Sequence, residues 1–243
     1  MQNRPDILNK ILTEAREHQR RGTPTRAIFD LDSTLFDVSP RIARILNDFA
    51  ADPEMLLRFP NETKVLALVE PHVKDYGVRR TLERYGFEPP SPEFAKILVD
   101  YWKGHFFGND YLKYDMPYPG SQTFVQDLYA LGTEIYYLTG RDIPRMLQGT
   151  INSLEQHGFP LKSDRSNLIL KPVTGSDDAV FKKDFFLQMD RSSGPAWFFE
   201  NEPANIYTVI EHCPHINIIF VETVHSESMP PPGANIPKIC GFI

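Results

Sequence analysis

Apolar residues recur along this chain at two spacings, and the change from one to the other divides it. From Asp6 to Arg21, the residues Ile7, Leu8, Ile11, Leu12 and Ala15 fall on one side of a helix. Gly22-Thr23-Pro24 breaks that helix. The run Ala27-Ile28-Phe29 is apolar without alternation, as in a strand buried on both faces. Ser39-Pro40 then reads as an N-cap followed by proline at the first helical position. Helical spacing returns with Ile42, Ile45, Leu46 and Phe49. Val65, Leu66, Val69, Val73 and Tyr76 predict a second helix ending near Gly77, and Val78 to Tyr85 a third, closed by Gly86. Ser91-Pro92 opens a fourth, carried on by Phe94, Ile97, Leu98, Tyr101 and Trp102. No strand pattern appears before about residue 115. The block, roughly 75 residues long, far exceeds the usual α/β connection of about 2–6 residues. It predicts an all-helical insertion.

From Tyr118-Pro119-Gly120 onward, strands and helices alternate. Ser121 reads as the cap of a helix with Phe124, Val125, Leu128 and Leu131, stopped by Gly132. The spacing predicts strands over Glu134–Leu138, Leu168–Leu170, Ala196–Phe199 and Ile216–Val221. It predicts helices over Ile143–His157, Asp177–Met189 and Pro203–His212. Such alternation signals βαβ units and a parallel sheet. With the strand before Asp30 there are five strands, enough for a doubly wound, three-layer α/β core. The expected domains are a core of residues 1–38 and 117–243 and a helical cap of residues 39–116. The tail, with Met229-Pro230-Pro231-Pro232-Gly233, reads as extended loop.

Composition narrows the picture only a little. At 243 residues, with 41% hydrophobic and 24% charged residues, the chain is ordinary globular protein. A net charge of −6 argues against non-specific binding to nucleic acid or to an anionic membrane. Cys213 and Cys240 give no disulfide framework, which points to a reducing compartment. The amino terminus is polar and lacks an apolar signal core, and no stretch is apolar enough to span a bilayer. A soluble, cytoplasmic protein is expected.

The chemistry gathers at strand ends. The first strand stops in Asp30-Leu31-Asp32-Ser33-Thr34, two carboxylates one residue apart and then two hydroxyls. Strand carboxyl ends in an open α/β sheet face the crevice where ligands bind. Two acids so close repel unless a cation sits between them or one keeps its proton. Mg²⁺ suits such a place, because it takes one or two carboxylates and leaves positions for water and phosphate oxygens. A calcium loop counted from Asp30 would need Gly at position six and Glu at position twelve, where the chain has Leu35 and Arg41. A solvated strand end with a helix cap is the plain alternative. Other strands also end in polar groups: Tyr136-Tyr137-Leu138 runs into Thr139-Gly140-Arg141, and Trp197-Phe198-Phe199 into Glu200-Asn201-Glu202-Pro203-Ala204-Asn205. Lysines lie near the start of one helix in Asp178-Ala179-Val180-Phe181-Lys182-Lys183, with Lys171 before it.

Asp-Leu-Asp-Ser-Thr after an apolar strand resembles the first motif of the haloacid dehalogenase-like (HAD) hydrolase superfamily, and the later strand ends follow in that family's order. The resemblance covers about Arg26 to Val221, the helical block matching only in position and character. It implies that Asp30 attacks phosphorus and that Asp32 protonates the leaving oxygen, then activates water. It implies that Thr139 donates to a phosphate oxygen, that Gly140 lets the backbone approach, and that a lysine neutralises the transferring group. Lys182 follows Phe181 as in related sequences; Lys183 would lie about 100° round the helix, so only one of the two can face the crevice. The fourth motif departs from the family: Glu200 and Asn201 stand where two aspartates are usual. The resemblance then implies Mg²⁺ held by Asp30, Asp32 and Glu200, with less negative charge than the family carries.

The expected function is a Mg²⁺-dependent phosphatase acting on a small phosphorylated metabolite through an aspartyl-phosphate on Asp30. Asp32 favours phosphoester chemistry, since carbon–halogen cleavage in this family does without an acid there. A phosphotransferase or mutase shares every core residue. A catalytically weak binding protein is the other alternative, resting on Glu200-Asn201. Tyr76, Tyr101, Trp102, His105 and Phe106 read either as cap core or as a surface for stacking on a nucleobase, with core the expected role. A lone His225 past the last strand reads as structural.

Overall fold

The computed structural model describes residues 4–190 and 194–243, so Met1, Gln2 and Asn3 of the polar amino terminus lie outside the described residues. In chain order, α1 (Arg4–Arg20) and β1 (Arg26–Phe29) lead through β2 (Phe36–Asp37) to α2 (Ser39–Ala51), α3 (Pro53–Arg58), α4 (Pro60–Leu66), α5 (Gly77–Arg84) and α6 (Pro92–Phe106). A 3-10 turn at Leu112–Tyr114 and β3 (Met116–Pro117) follow. Then come α7 (Ser121–Ala130), β4 (Glu134–Asp142), α8 (Ile143–Gln156), β5 (Ser166–Lys171) and α9 (Asp178–Gln188). The chain finishes with β6 (Ala196–Glu200), α10 (Pro203–His212), β7 (Asn217–Val221) and β8 (Lys238–Ile239).

Six strands form one parallel sheet in the order β5-β4-β1-β6-β7-β8. Phe29 lies opposite Tyr137 on one side and Phe199 on the other. Strands are added outward from β1 first through β4 and β5, then on the other side through β6, β7 and β8. The order reverses at β1, which makes its carboxyl end the switch point where open α/β sheets bind ligands. Alternate residues of each strand supply two separate cores, as the period of two requires. Ala27, Phe29, Trp197, Phe199, Ile219 and Val221 pack with Leu8 and Ile11 of α1 and with Phe124 and Leu128 of α7. Ile28, Phe198, Ile218 and Phe220 pack with Phe186 of α9 and with Ile206 and Val209 of α10. Both sheet faces are covered by helices, which explains why the strand sequences are apolar runs rather than alternating ones.

The described residues group into two compact units: the α/β unit up to Phe36 with Pro117–Pro144 and Leu154–Ile243, and a helical unit of Asp37–Met116 with Arg145–Ser153. The helical unit is built round α2, whose Ile42, Leu46 and Phe49 pack with Leu66, Leu82, Phe94 and Leu98. Tyr101, Trp102 and Phe106 pack against this same cluster, and Phe49 meets Tyr101 edge-on at 5.2 Å. These aromatics fill the unit's core; Tyr76 is exposed. The middle of α8 belongs here because Gly149 donates its N–H to Asn109 Oδ1 at 2.7 Å, an approach that a side chain at 149 would block.

Local differences from the sequence expectations have local causes. The helix predicted from Val65 to Tyr76 is instead α4, which stops at Leu66. Pro71 disfavours helix before it, and Asn47 Nδ2 donates to the carbonyls of Leu66 at 3.0 Å and Val69 at 3.1 Å. Ser91 does cap α6, accepting from Phe94 N–H at 3.1 Å. Ser121 and Ser39 do not cap: each is the first residue of its helix. Ser121 Oγ donates to Leu35 O at 3.1 Å, and Ser39 N–H donates to Asp37 Oδ1 at 2.8 Å. The proline-rich tail ends in a strand, β8, alongside β7, so the sheet has six strands rather than five. Two residues with a single buried Ile239 carry no readable period.

Arg41 and Asp115 form an ion pair with neither side chain exposed, Nε to Oδ1 at 2.9 Å. Arg41 Nη1 also donates to Phe106 O at 3.0 Å, and the guanidinium stacks 3.9 Å over the Phe106 ring. Arg41→Met is expected to lower stability by about 3–5 kcal/mol, because it strands a buried carboxylate; urea denaturation of the full chain measures it.

Candidate active site

β1 is buried throughout, and Asp30 continues its pairing by donating its N–H to Phe199 O at 3.0 Å. The backbone then turns sharply. Leu31 O accepts the N–H groups of Thr34, Leu35 and Phe36, and Ser33 takes a left-handed conformation at φ 62°. Thr223 Oγ1 donates to Ser33 O and ties the turn to the segment after β7. The turn leaves the Asp30 carboxylate buried while the Asp32 side chain stays 31% exposed. One acid is therefore inside and one at the mouth.

Lys182, on α9, is nine-tenths and more buried, and its ammonium sits between two carboxylates: 2.6 Å from Asp30 Oδ1 and 2.6 Å from Glu200 Oε2. Burial is the main cause that raises the Asp30 pKa to about 7, with Glu200 and Asp32 adding to it and Lys182 opposing. Burial also works against the Lys182 ammonium, but Asp30 and Glu200 outweigh it and hold it charged above the ordinary lysine range. Of the other lysines, Lys183 lies 3.3 Å from Asp184 Oδ1, and Lys171 donates to Asp178 Oδ1 at 2.5 Å and Ser176 O at 2.9 Å. Lys182 alone of the three reaches Asp30.

At the end of β4 the pairing with β5 breaks between Thr139 and Asp142, leaving Gly140 and Arg141 as extra residues. Irregularities of this kind re-aim side chains at sheet ends. Here the buried Arg141 is aimed at Asp32, whose Oδ1 accepts from Nε at 3.0 Å and also from Nη2. Thr139 is buried and its Oγ1 accepts from Arg141 N–H at 3.3 Å. What Gly140 makes room for in this structure is a side chain: a methyl group there would fall 2.8 Å from Asp178 Cγ. The Thr139-Gly140-Arg141 run suggests that Arg141 reaches a phosphate or acts as a cap; in the structure it pairs with Asp32. Its signal was present as the charged residue ending the Thr-Gly-Arg run, but only the bulge shows where it points.

At the end of β6, Glu200 is fully buried and both its oxygens are engaged. Oε1 accepts the N–H groups of Asn201 and Glu202, each at 3.0 Å. Oε2 accepts from Lys182 and from Asn205 Nδ2 at 3.1 Å. Asn201 Oδ1 accepts from Thr34 Oγ1 at 2.9 Å, and its Nδ2 donates to Val224 O at 2.6 Å. A divalent cation would have to draw on Asp30, Asp32 and Glu200. No three His, Cys, Asp or Glu side chains converge on one point among the described residues. A carboxylate has about four lone-pair positions, and Glu200 has four donors on them. Of the three carboxylates implied as Mg²⁺ ligands, Glu200 as arranged offers the ion no open position.

Asn201 is positioned as a clamp between two backbone segments, through its amide. Asn201→Asp would set a carboxylate oxygen against Val224 O. It is expected to lower stability by about 1–3 kcal/mol, the cost of a buried unsatisfied polar group, read as a reduced denaturation midpoint. No change in the midpoint would remove Asn201 from this role.

No protein-family model matches the sequence, and no curated protein matches it. Solved structures do. A predicted phosphatase from Clostridium acetobutylicum superposes with a TM-score of 0.52 at 17% identity, over 89% of this chain and 93% of its own. The Mycobacterium tuberculosis protein tyrosine kinase A (PtkA) superposes with a TM-score of 0.55 at 15% identity, over 89% and 93%. A HAD-superfamily hydrolase from Ehrlichia chaffeensis aligns over 90% of this chain and 93% of its own at 16% identity, with a TM-score of 0.48. At such identities the likeness concerns the fold alone, which in this chain is a parallel α/β core with an inserted helical unit.

Proposed function

We propose that the protein hydrolyses a phosphate monoester of a small organic molecule, with Asp30 as nucleophile and Asp32 as general acid and base. The observation that carries this reading is the division of labour at one strand end. Asp30 is buried against the Lys182 ammonium, and two residues on, Asp32 is partly exposed at the mouth and held by Arg141. The chemistry would run in two steps. A carboxylate oxygen of Asp30 attacks phosphorus while Asp32 protonates the leaving alkoxide, forming an aspartyl phosphate. Asp32, now a base, takes a proton from water, which attacks phosphorus and releases inorganic phosphate and the Asp30 carboxylate. Splitting one displacement into two lets a single acid serve both, as proton donor and then acceptor.

Charge is the harder problem. A phosphoryl group brings negative charge toward a buried carboxylate, and catalysis of its transfer is mostly positioning and electrostatic stabilisation. Lys182 offsets the charge of Asp30 and Glu200, and Arg141 offsets that of Asp32. Transfer to an acceptor other than water would use the same residues, and product analysis separates it from hydrolysis. One observation favours a second reading, a binding protein of weak activity: Asn201 is spent on structural hydrogen bonds where the family pattern expects an acid.

Hydrolysis of an aryl phosphate decides between them. Turnover is expected in the wild type, abolished in Asp30→Asn and reduced by about 10²–10⁴-fold in Asp32→Asn, the usual worth of a general acid. No turnover by the wild type over sugar, nucleotide and aryl phosphates would favour the binding protein.

A pH profile tests the nucleophile separately. Asp30 must be ionised to attack, and its pKa is raised to about 7. Activity should therefore fall as pH drops through that value, nearing tenfold per unit on the acid side. Glu200→Gln removes a negative neighbour that raises the Asp30 pKa, so the acid limb should move to lower pH. An unmoved limb would assign it to another group.

A further inference from the structure

We infer that this site takes an oxyanion, the phosphoryl group of a substrate or phosphate itself, without a divalent cation, with Lys182 and Arg141 supplying the positive charge. The inference rests on the phosphoester reading above and concerns how that site is charged. Its warrant is the disposition of donors round the three carboxylates. Glu200 carries two backbone N–H groups on Oε1 and the Lys182 and Asn205 side chains on Oε2. A cation bound to either oxygen would have to displace one of these from a fully buried carboxylate. At Oε2 it would also stand beside an ammonium already 2.6 Å away. Asn201, the other polar group at that strand end, holds Thr34 with its oxygen and Val224 O with its nitrogen.

The charge count leads the same way. With all three acids ionised, Asp30, Asp32 and Glu200 bring three negative charges and Lys182 and Arg141 two positive ones, leaving one negative charge. Both cations are buried, and a guanidinium is never deprotonated in a protein. With the same three acids and Lys182 alone, the site would be one charge more negative, so Arg141 is the side chain that lowers the repulsion an entering anion meets. The two-residue irregularity between Thr139 and Asp142 is what delivers Arg141 to Asp32.

Calorimetric titration of inorganic phosphate into the full chain, once in EDTA and once in excess Mg²⁺, tests the inference. The dissociation constants should agree within about threefold, a difference under 1 kcal/mol. Titration of Mg²⁺ alone into EDTA-treated and dialysed protein should give no saturable heat. Arg141→Gln should weaken phosphate in EDTA by about tenfold or more, the worth of a charge-assisted contact. The wild-type titrations stand whether or not that variant folds. Phosphate binding that requires Mg²⁺, or tightens by about tenfold with it, overturns the inference and leaves the phosphoester reading standing. Absence of phosphate binding in both buffers overturns the inference; joined to absent aryl phosphate turnover, it overturns that reading too.

Discussion

The site depends on one buried cation. The Lys182 ammonium touches Asp30 and Glu200 at equal distance, and all three groups are buried. Taking charges out of water costs several kcal/mol each, and only good geometry with further hydrogen bonds offsets that cost. The surroundings meet the condition for Glu200, whose remaining lone pairs are taken by two backbone N–H groups and Asn205. They meet it less fully for Asp30, and its raised pKa is the result. A partly compensated carboxylate beside a fully compensated one is a difference in environment that gives two like groups different work. Glu200 anchors the lysine, and Asp30 is the less compensated of the two.

The same interaction ties the layers of the α/β unit together. Asp30 follows β1, Glu200 ends β6 and Lys182 stands on α9, so three elements meet at one ammonium. The parallel register sets β1 and β6 level, with Phe29 opposite Phe199, and so brings their next residues side by side. The clamp from Asn201 to Thr34 and Val224 joins the turn after β1 to the segment after β7. Polar groups that in a surface loop would be solvated are here buried and matched to partners.

The polar residues at the end of β6 each have a structural use. The Glu200 side chain folds its carboxylate back onto its own following N–H groups as well as onto Lys182. Asn201 both donates and accepts, where a carboxylate would only accept. Arg141 brings a permanent positive charge to Asp32.

Much of this protein was legible in the chain. Apolar runs without alternation announced strands covered on both faces, and glycines and prolines marked the helix ends, because these are local properties of spacing and backbone preference. The motif at Asp30 and Asp32 was legible for the same reason: its residues are neighbours in sequence. Helical phase allowed only one of Lys182 and Lys183 to face inward, and the choice of Lys182, which is the buried one, came from its place after Phe181 as in related sequences. What the chain alone left open were long-range matters. β8 is a strand because β7 lies beside it, and α4 stops early partly because Asn47 reaches its last carbonyls. Gly140 is a glycine beside Asp178, Arg141 reaches a carboxylate 109 residues away, and the oxygens of Glu200 are filled. Each of these is decided by partners distant in sequence, and hydrogen-bond saturation is a property of the assembled site that no single segment carries.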